Sequence, residues 1–349
     1  MRCGLIIIFL FIIYEVDLTM KKLLILIPLF FLVVLSSCQK DEPEGQVSKP
    51  IYLLKENPQL PKFDGKNAYL QIEKQVSFGS RNPNSSGHAK ALTYLQSELK
   101  KYADEVELQP FSYLGYDGEK LALTNIIGKF FPAAKNRIIL AAHWDSRPRS
   151  EQDKDSTKRN LPILGANDGG SGVGVLLEIA RLLKNQKVDY GIDIVLFDGE
   201  DYGMHNDLSN FCLGSKYFSA KLPQGYAPVF GILLDLVGDK EAVFMKEGYS
   251  YQYAPDIVNM VWGIASRLGA PQFVQQVGPA IYDDHIPLNQ AGIRTIDIID
   301  IDLVGANSPN ERRNYWHTQS DNMENIGKET LQNVGDVLTH FIYSLQFNI

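Results

Sequence analysis

From about residue 61 onward, short apolar runs alternate with stretches in which apolar residues recur every three or four positions. Residues 68–76 and 87–102 carry that helical period. The loop between them, from Gly79 to Ser86, is rich in Gly, Ser, Asn and Pro, as turns are. Residues 125–127, 137–142, 193–197, 229–236 and 293–301 are compact apolar runs that read as buried strands. Residues 172–184 have a 3.6-residue apolar period and close on basic side chains, which favour helix C-termini. A last helix is expected over residues 329–345. Strands apolar on both faces, alternating with helices, predict an α/β domain: a mostly parallel or mixed central sheet flanked by helices on both faces. In such a sheet the functional site lies at the carboxyl ends of the strands.

The N-terminal pattern follows a different logic. Lys21 and Lys22 precede an apolar run over residues 23–35, and Leu35-Ser36-Ser37-Cys38 places small residues just before a cysteine. That order predicts an export signal over residues 1–37, and it resembles a bacterial lipobox whose Cys38 carries the lipid. A transmembrane helix is the competing reading, but the run is shorter than the ~20 residues a bilayer needs and stops at small and polar residues. A further apolar patch, residues 5–13, precedes Met20. Met20-Lys21-Lys22 is the better signal start, so translation is expected to begin there. Residues 38–60, opening with Gln39-Lys40-Asp41-Glu42-Pro43-Glu44, form a tether, and the catalytic domain is expected over residues 61–349. Gln39 supplies no aspartate at the position that often signals inner-membrane retention. The expected place is therefore the outer membrane of a Gram-negative cell, reached through a lipid on Cys38.

Composition narrows the chemistry. The 349 residues are 45% hydrophobic and 21% charged, ordinary values for a globular protein. Without the export segment roughly 300 residues remain, enough for one large domain. A net charge of -7 argues against nucleic acid as a partner, since phosphates demand a basic surface. The cysteines are Cys3, Cys38 and Cys212. With Cys3 removed and Cys38 lipidated, Cys212 stands alone, so any metal site must use His and carboxylates.

Those residue types fall at the predicted strand ends. His143-Trp144-Asp145 is a His-x-Asp pair in which the carboxylate can orient a metal-binding ring. Gly165-Ala166-Asn167-Asp168-Gly169-Gly170-Ser171-Gly172 is a Gly-rich turn opening a helix. It lacks the Lys and the glycine spacing of phosphate-binding loops, and it presents Asp168. Glu200-Asp201 are adjacent carboxylates whose repulsion a metal would remove, leaving one to ligate and the other as a general base. Asp235 lies in the apolar run Leu233-Leu234-Asp235-Leu236, where a lone acid needs a partner. Asp283-Asp284-His285 begins a short helix, and Trp316-His317-Thr318 ends a loop before Asp321. His88, His205 and His340 read as structural or solvent-exposed.

In chain order, His143-x-Asp145, Asp168-Gly169, Gly199-Glu200-Asp201, Gly214-Ser215-Lys216, Asp235, Asp284-His285 and His317-Thr318 resemble the co-catalytic zinc aminopeptidase family, over nearly all of the chain from about Phe78. Four details look specifically like glutaminyl cyclases within it: Phe197-Asp198-Gly199-Glu200, Leu233-Leu234-Asp235-Leu236-Val237-Gly238, Asp283-Asp284-His285-Ile286-Pro287 and Trp316-His317-Thr318. Aminopeptidases of the fold usually show Ser-Asp-His and Tyr-His in the last two places.

The resemblance implies cyclisation of N-terminal glutamine to pyroglutamate, with release of ammonia, on peptides or proteins. It implies one Zn²⁺ held by Asp168, Asp201 and His317, with Glu200 as general acid and base. Asp235 and Asp283 would form a hydrogen-bonded acidic pair beside the zinc, and Trp316 would line the substrate pocket. The chain departs from the animal cyclases in having Asp201 for Glu, no tryptophan near Asn206, and Asp297 where those enzymes carry a His. The alternative is a two-zinc aminopeptidase, with His143 and Asp235 completing the second metal's ligands. A third reading is a non-catalytic binding lipoprotein, against which every catalytic position is retained.

Overall fold

The first two helical periods become helices that open on a polar side chain able to satisfy the first free N–H groups. The computed structural model describes residues 11–16, 23–28, 52–204 and 207–348. They fall into two compact units, Met1–Lys49 and Pro50–Ile349. In the first, β1 (Phe11–Val16) and β2 (Leu23–Pro28) pair antiparallel, Phe11 opposite Pro28. The rest of the expected export segment, Met20, Cys38 and the tether up to residue 51 lie outside the described residues.

The second unit begins ahead of Pro61. Its first strand, β3 (Tyr52–Leu54), pairs antiparallel with the last, β12 (Leu345–Phe347). Helix α1 (Gly65–Val76) is capped by Asp64, whose carboxylate accepts from Lys66 N and Asn67 N. In α2 (Ser86–Tyr102) the Ser85 hydroxyl accepts from His88 N at 3.0 Å.

A six-stranded mixed sheet follows, built from β4 (Glu105–Leu114), β5 (Lys120–Phe130), β6 (Arg137–His143), β7 (Gly191–Phe197), β8 (Phe230–Asp235) and, beyond a separate pair β9 (Phe244–Lys246) and β10 (Phe273–Val277), β11 (Thr295–Ile299). Its spatial order is β11-β8-β6-β7-β5-β4. The four strands from β11 to β7 are parallel, and β5 and β4 continue antiparallel to the edge.

Alternation along the strands feeds two cores. Ile138, Leu140 and Ala142 of β6 and Ile192, Ile194 and Leu196 of β7 share a core with α1, α2, α3 (Gly170–Asn185), α6 (Pro255–Leu268) and α8 (Lys328–Ser344). Ile139, Ala141, Val195 and Phe197 point the other way, against Phe218 of α4 (Leu213–Ala220) and Leu288 of α7 (His285–Gln290). This period of two is why the strands read as continuous apolar runs. Each fully buried Ile, Leu or Phe contributes about 1.5–3 kcal/mol. Helix α3 lies tight on β8, since a Cβ at Gly172 would come 2.3 Å from Leu234 O. Short α5 (Gly248–Tyr253), capped by Glu247, packs beside β11.

The parallel strands end at one edge with His143, Phe197, Asp235 and Ile299. Strand β8 stops at Asp235, shorter than its apolar run, because Leu236 turns into the left-handed region at φ 50.

Candidate metal centre and active site

Four backbone reversals aim side chains into that edge. Gly169 (φ 71) follows Asp168, Gly199 (φ 70) precedes Glu200, Leu236 (φ 50) follows Asp235, and His317 itself sits at φ 53. Non-glycine residues pay a steric penalty there of order 1–3 kcal/mol, and such strain gathers at functional sites. At Gly169 a Cβ would meet Asp145 O at 2.6 Å and the His143 ring at 2.9 Å, so the turn admits no side chain.

The sequence-predicted residues converge. Asp168, Asp201 and His317 place one donor atom each within 4.8 Å of one another, and so do His143, Asp168 and Asp235. His317 Nε2 lies 3.5 Å from Asp168 Oδ2 and 3.4 Å from Asp201 Oδ1. His143 Nε2 lies 3.2 Å from both Asp168 Oδ1 and Asp235 Oδ1. Asp168 is thus common to both donor sets.

Further polar groups hold these in place, of which Glu151 and Arg147 were not singled out from the sequence. Glu151 accepts from His317 Nδ1 at 3.1 Å, the carboxylate–histidine arrangement that fixes a metal-binding ring. Arg147 donates to Asp201 Oδ1 at 2.6 Å and to its backbone O at 3.0 Å, and it pairs with Glu151. Asp321 accepts from Asn167 N and Asp168 N at 2.8 and 3.1 Å, pinning the Gly-rich turn. Asp145 does more than face His143 Nδ1 at 3.4 Å, since its carboxylate accepts from Glu200 N at 3.0 Å and Asp201 N at 3.3 Å.

Asp168, Glu200, Asp201, Asp235, Asp283, Trp316 and His317 all line one cleft. Its apolar wall is Phe211, Leu236, Ile281, Ile299, Val304 and the Trp316 ring, which stacks on His317. Burial, and then Asp283 and Asp201, push the Glu200 carboxyl well above the usual range. Burial and Asp201 raise Asp168 to about 6. Burial alone would raise Asp201 too, but His317 and Arg147 outweigh it and hold that carboxylate well below its usual range.

One detail differs from expectation, the acidic pair, and one open position is settled by burial. Asp235 and Asp283 are near enough for Asp235 to raise Asp283, yet Asp235 is engaged by His143 and by Leu236 N. The carboxyl within hydrogen-bond reach of Asp283 is Asp297. Asp297 is fully buried in β11 and does not line the cleft, which removes it from the pocket wall. His88 is structural: buried, stacked on Trp144, and 2.9 Å from both carboxylate oxygens of Asp198. His205 and Asn206 lie outside the described residues.

The donor set suits zinc. It offers one imidazole nitrogen and two carboxylates, the ring is oriented by Glu151, and Asp201 Oδ2 is buried without a hydrogen-bond partner.

Residues 125–342 match the profile of Peptidase family M28. A solved structure of Bacteroides thetaiotaomicron glutaminyl cyclase bound to N-acetylhistamine is 44% identical with a TM-score of 0.77, covering 82% of this chain and 99% of that one. Aminopeptidase YwaD of Bacillus subtilis is 30% identical over 213 residues, 59% of this chain, and the chain spans 40% of that protein's length. The glutaminyl-peptide cyclotransferase of Gloydius blomhoffii is 24% identical over 299 residues, 75% of this chain and 76% of that protein. The chain belongs to peptidase family M28, whose members are zinc-dependent. Its likeness along nearly the full length of a solved protein is to a bacterial glutaminyl cyclase.

Proposed function

We propose that the protein is a glutaminyl-peptide cyclotransferase that converts the N-terminal glutamine of peptides and proteins to pyroglutamate. The carrying observation is the cleft itself, which Glu200 lines together with the Asp168–Asp201–His317 donors and an apolar wall that includes Trp316.

In the reaction the α-amine nitrogen attacks the γ-carboxamide carbon of the same residue. A C–N bond forms to close the ring, and the bond to the amide nitrogen breaks. Glu200 takes the proton from the amine and delivers it to the departing nitrogen, which leaves as ammonia. A carboxyl held above its usual range suits a group that must both accept and return a proton. Asp235 and Asp283 face the same space and complete its acidic floor. The apolar wall folds the glutamine side chain back on its amine and excludes the water that would hydrolyse the amide to glutamate. Asp168, Asp201 and His317 would hold one zinc ion, which when bound supplies Lewis-acid polarisation of the γ-carbonyl.

A second reading has one specific observation in its favour. His143, Asp168 and Asp235 form a donor set beside the first, as a two-zinc aminopeptidase would require. The deciding experiment incubates a short N-terminal glutamine peptide with the enzyme before chelation, after chelation and after zinc restoration, and follows it by mass spectrometry. Metal-dependent loss of one ammonia with every peptide bond intact supports the cyclase. Release of free amino acids supports the aminopeptidase.

Export and lipidation of Cys38, with anchoring in the outer membrane, remain part of the proposal on the strength of the Leu35-Ser36-Ser37-Cys38 segment. Cys38→Ser should abolish incorporation of labelled palmitate and free the protein from the membrane fraction. Unchanged labelling would overturn it.

A further inference from the structure

Cys212 stands beside the cleft and takes no part in the reaction as described. It precedes α4 in the left-handed region, at φ 54 and ψ 38, where glycine would meet no steric penalty. A side chain at the start of a helix usually caps a free N–H group, and that of Cys212 caps none. Its thiol is fully buried and in no disulfide. What it touches is Glu200. Cys212 Sγ lies 3.3 Å from Glu200 Oε1, and among the described residues no other side chain hydrogen-bonds that carboxylate.

The main chain draws the two residues together. Cys212 N donates to Glu200 O at 2.9 Å and Leu213 N to Gly199 O at 3.1 Å, while Glu200 N donates to the Asp145 carboxylate at 3.0 Å. The backbone of Glu200 is thus fastened on both sides. Its side chain still has several rotatable bonds, and a general acid and base serves only while its oxygen stays within hydrogen-bond reach of the proton it moves. Burial, and then Glu200, Asp284 and Asp283, push the Cys212 thiol well above its usual range, so it keeps its hydrogen and can donate. We infer that Cys212 is a positioning residue: its S–H group donates to Oε1 of Glu200 and holds that carboxyl in one orientation, leaving Oε2 to exchange protons with the substrate. The inference rests on the proposed reaction, in which Glu200 carries the proton from the amine to the departing nitrogen. Phe211, the preceding residue, lines the cleft, so consecutive side chains of one segment shape the pocket and steady its proton carrier. Two other accounts compete. A buried cysteine can be a small apolar filler whose hydrogen does not matter. Alternatively, Glu200, Cys212 and Asp283, whose donor atoms lie within 4.8 Å of one another, would share a cation.

The test uses the full chain with its zinc and a short N-terminal glutamine peptide, comparing wild type, Cys212→Ser and Cys212→Ala. Ser keeps a hydrogen-bond donor on the same Cβ; Ala loses it. The readouts are kcat, KM, bound metal per chain and melting temperature. Cys212→Ala is expected to lose about tenfold in kcat, with KM and metal content within about twofold of wild type, while Cys212→Ser holds kcat within about threefold. In a Glu200→Gln background the same Ala change should cost less than about twofold, because the proton carrier it would misplace is gone. An equal loss in both backgrounds would overturn the inference and assign the effect to packing. Should Cys212→Ala not fold, Cys212→Gly takes its place with the same expected loss, since glycine suits this φ. Full kcat in the Ala or Gly variant, or a Ser variant as impaired as Ala, would also overturn it and leave the thiol a filler. So would a second metal equivalent in the wild type that Cys212→Ala lacks, which would make the cluster a cation site. If the wild type releases free amino acids and no ammonia, the cyclase reading fails, and the same comparison run on that hydrolysis still decides the role of Cys212.

Discussion

The two donor sets that share Asp168 are built differently. On the His317 side, each ligand is held from behind by a group that is not itself a candidate ligand: Glu151 orients the ring and Arg147 holds one oxygen of Asp201. The other oxygen, Oδ2, is left buried and unpaired. On the His143 side the residues satisfy one another. His143 Nε2 sits 3.2 Å from an oxygen of Asp168 and from one of Asp235, and that Asp235 oxygen also accepts from Leu236 N at 2.8 Å. One half of the site is organised to receive an ion. The other already has a hydrogen-bond donor where a second ion would go. Residue types alone make the halves look equivalent, and the supporting contacts separate them.

The most severe way to probe this comparison is to leave both donor sets intact and remove the proton carrier that lines the same cleft. Glu200→Gln keeps the shape and abolishes proton transfer. Cyclisation should fall about 10²–10⁴-fold with zinc content unchanged. A variant that held its zinc and turned over glutamine peptide normally would show that the proton travels by another route. Next in size is the group behind His317. Glu151→Gln should weaken zinc binding about 10–100-fold, read by competition with a chelator, because the ring loses its carboxylate partner. An unchanged zinc affinity would mean that the two halves are not distinguished by their supporting contacts.

These supporting groups also mark where sequence reasoning reached its limit. The strands and helices that form the sheet's centre were legible because they are buried on both sides and so read as unbroken apolar runs or clean helical periods. Edge strand β4 was not, since its Glu105–Leu114 segment mixes exposed and half-buried positions and contains Pro110, which an edge tolerates. Nor was α6, an amphipathic helix opened by Pro255 in the first turn, which is itself a usable start signal. Asp168, Glu200, Asp201, Asp235, Asp283 and His317 could be named because they sit at strand ends or in recognisable motifs. Glu151 and Arg147 lie in a loop with no periodic pattern, and their role comes from contacts with His317 and Asp201, far away in sequence. Asp321 was visible as a residue, yet its capping of the Asn167–Asp168 turn is a contact that spacing cannot reveal. Asp297 had no assigned place, and burial alone distinguishes a wall residue from one behind the wall.

A smaller effect concerns stability behind the wall. Burial would raise the Glu247 carboxyl, but His285 and Ser250 outweigh it and bring it to about 2, against an ordinary 4.5. A carboxylate depressed in the folded state contributes stability that is complete above its unfolded pKa and is lost as pH falls through the folded value. Glu247→Gln should therefore cost about 2 kcal/mol at pH 7, with a smaller gap to wild type at pH 4. Urea denaturation at the two pH values measures both. A gap independent of pH would assign the loss to packing and hydrogen-bond geometry, not to the charge.

The smallest expected effect tests the comparison most directly. His143→Gln retains an N–H donor between Asp168 and Asp235, so the buried carboxylates on that side are not left unpaired, but it removes an imidazole that a second zinc would need. If the His143 side is satisfied without an ion, the variant should still bind one zinc per chain and cyclise within about tenfold of wild type, the residual loss reflecting a less well placed Asp168. A fall from two bound metals to one, together with loss of turnover, would instead make the halves equal partners in a two-metal site. The metal count and the product, ammonia or free amino acid, should then change together, because both readings use Asp168 and differ in whether its second oxygen faces a donor or an ion.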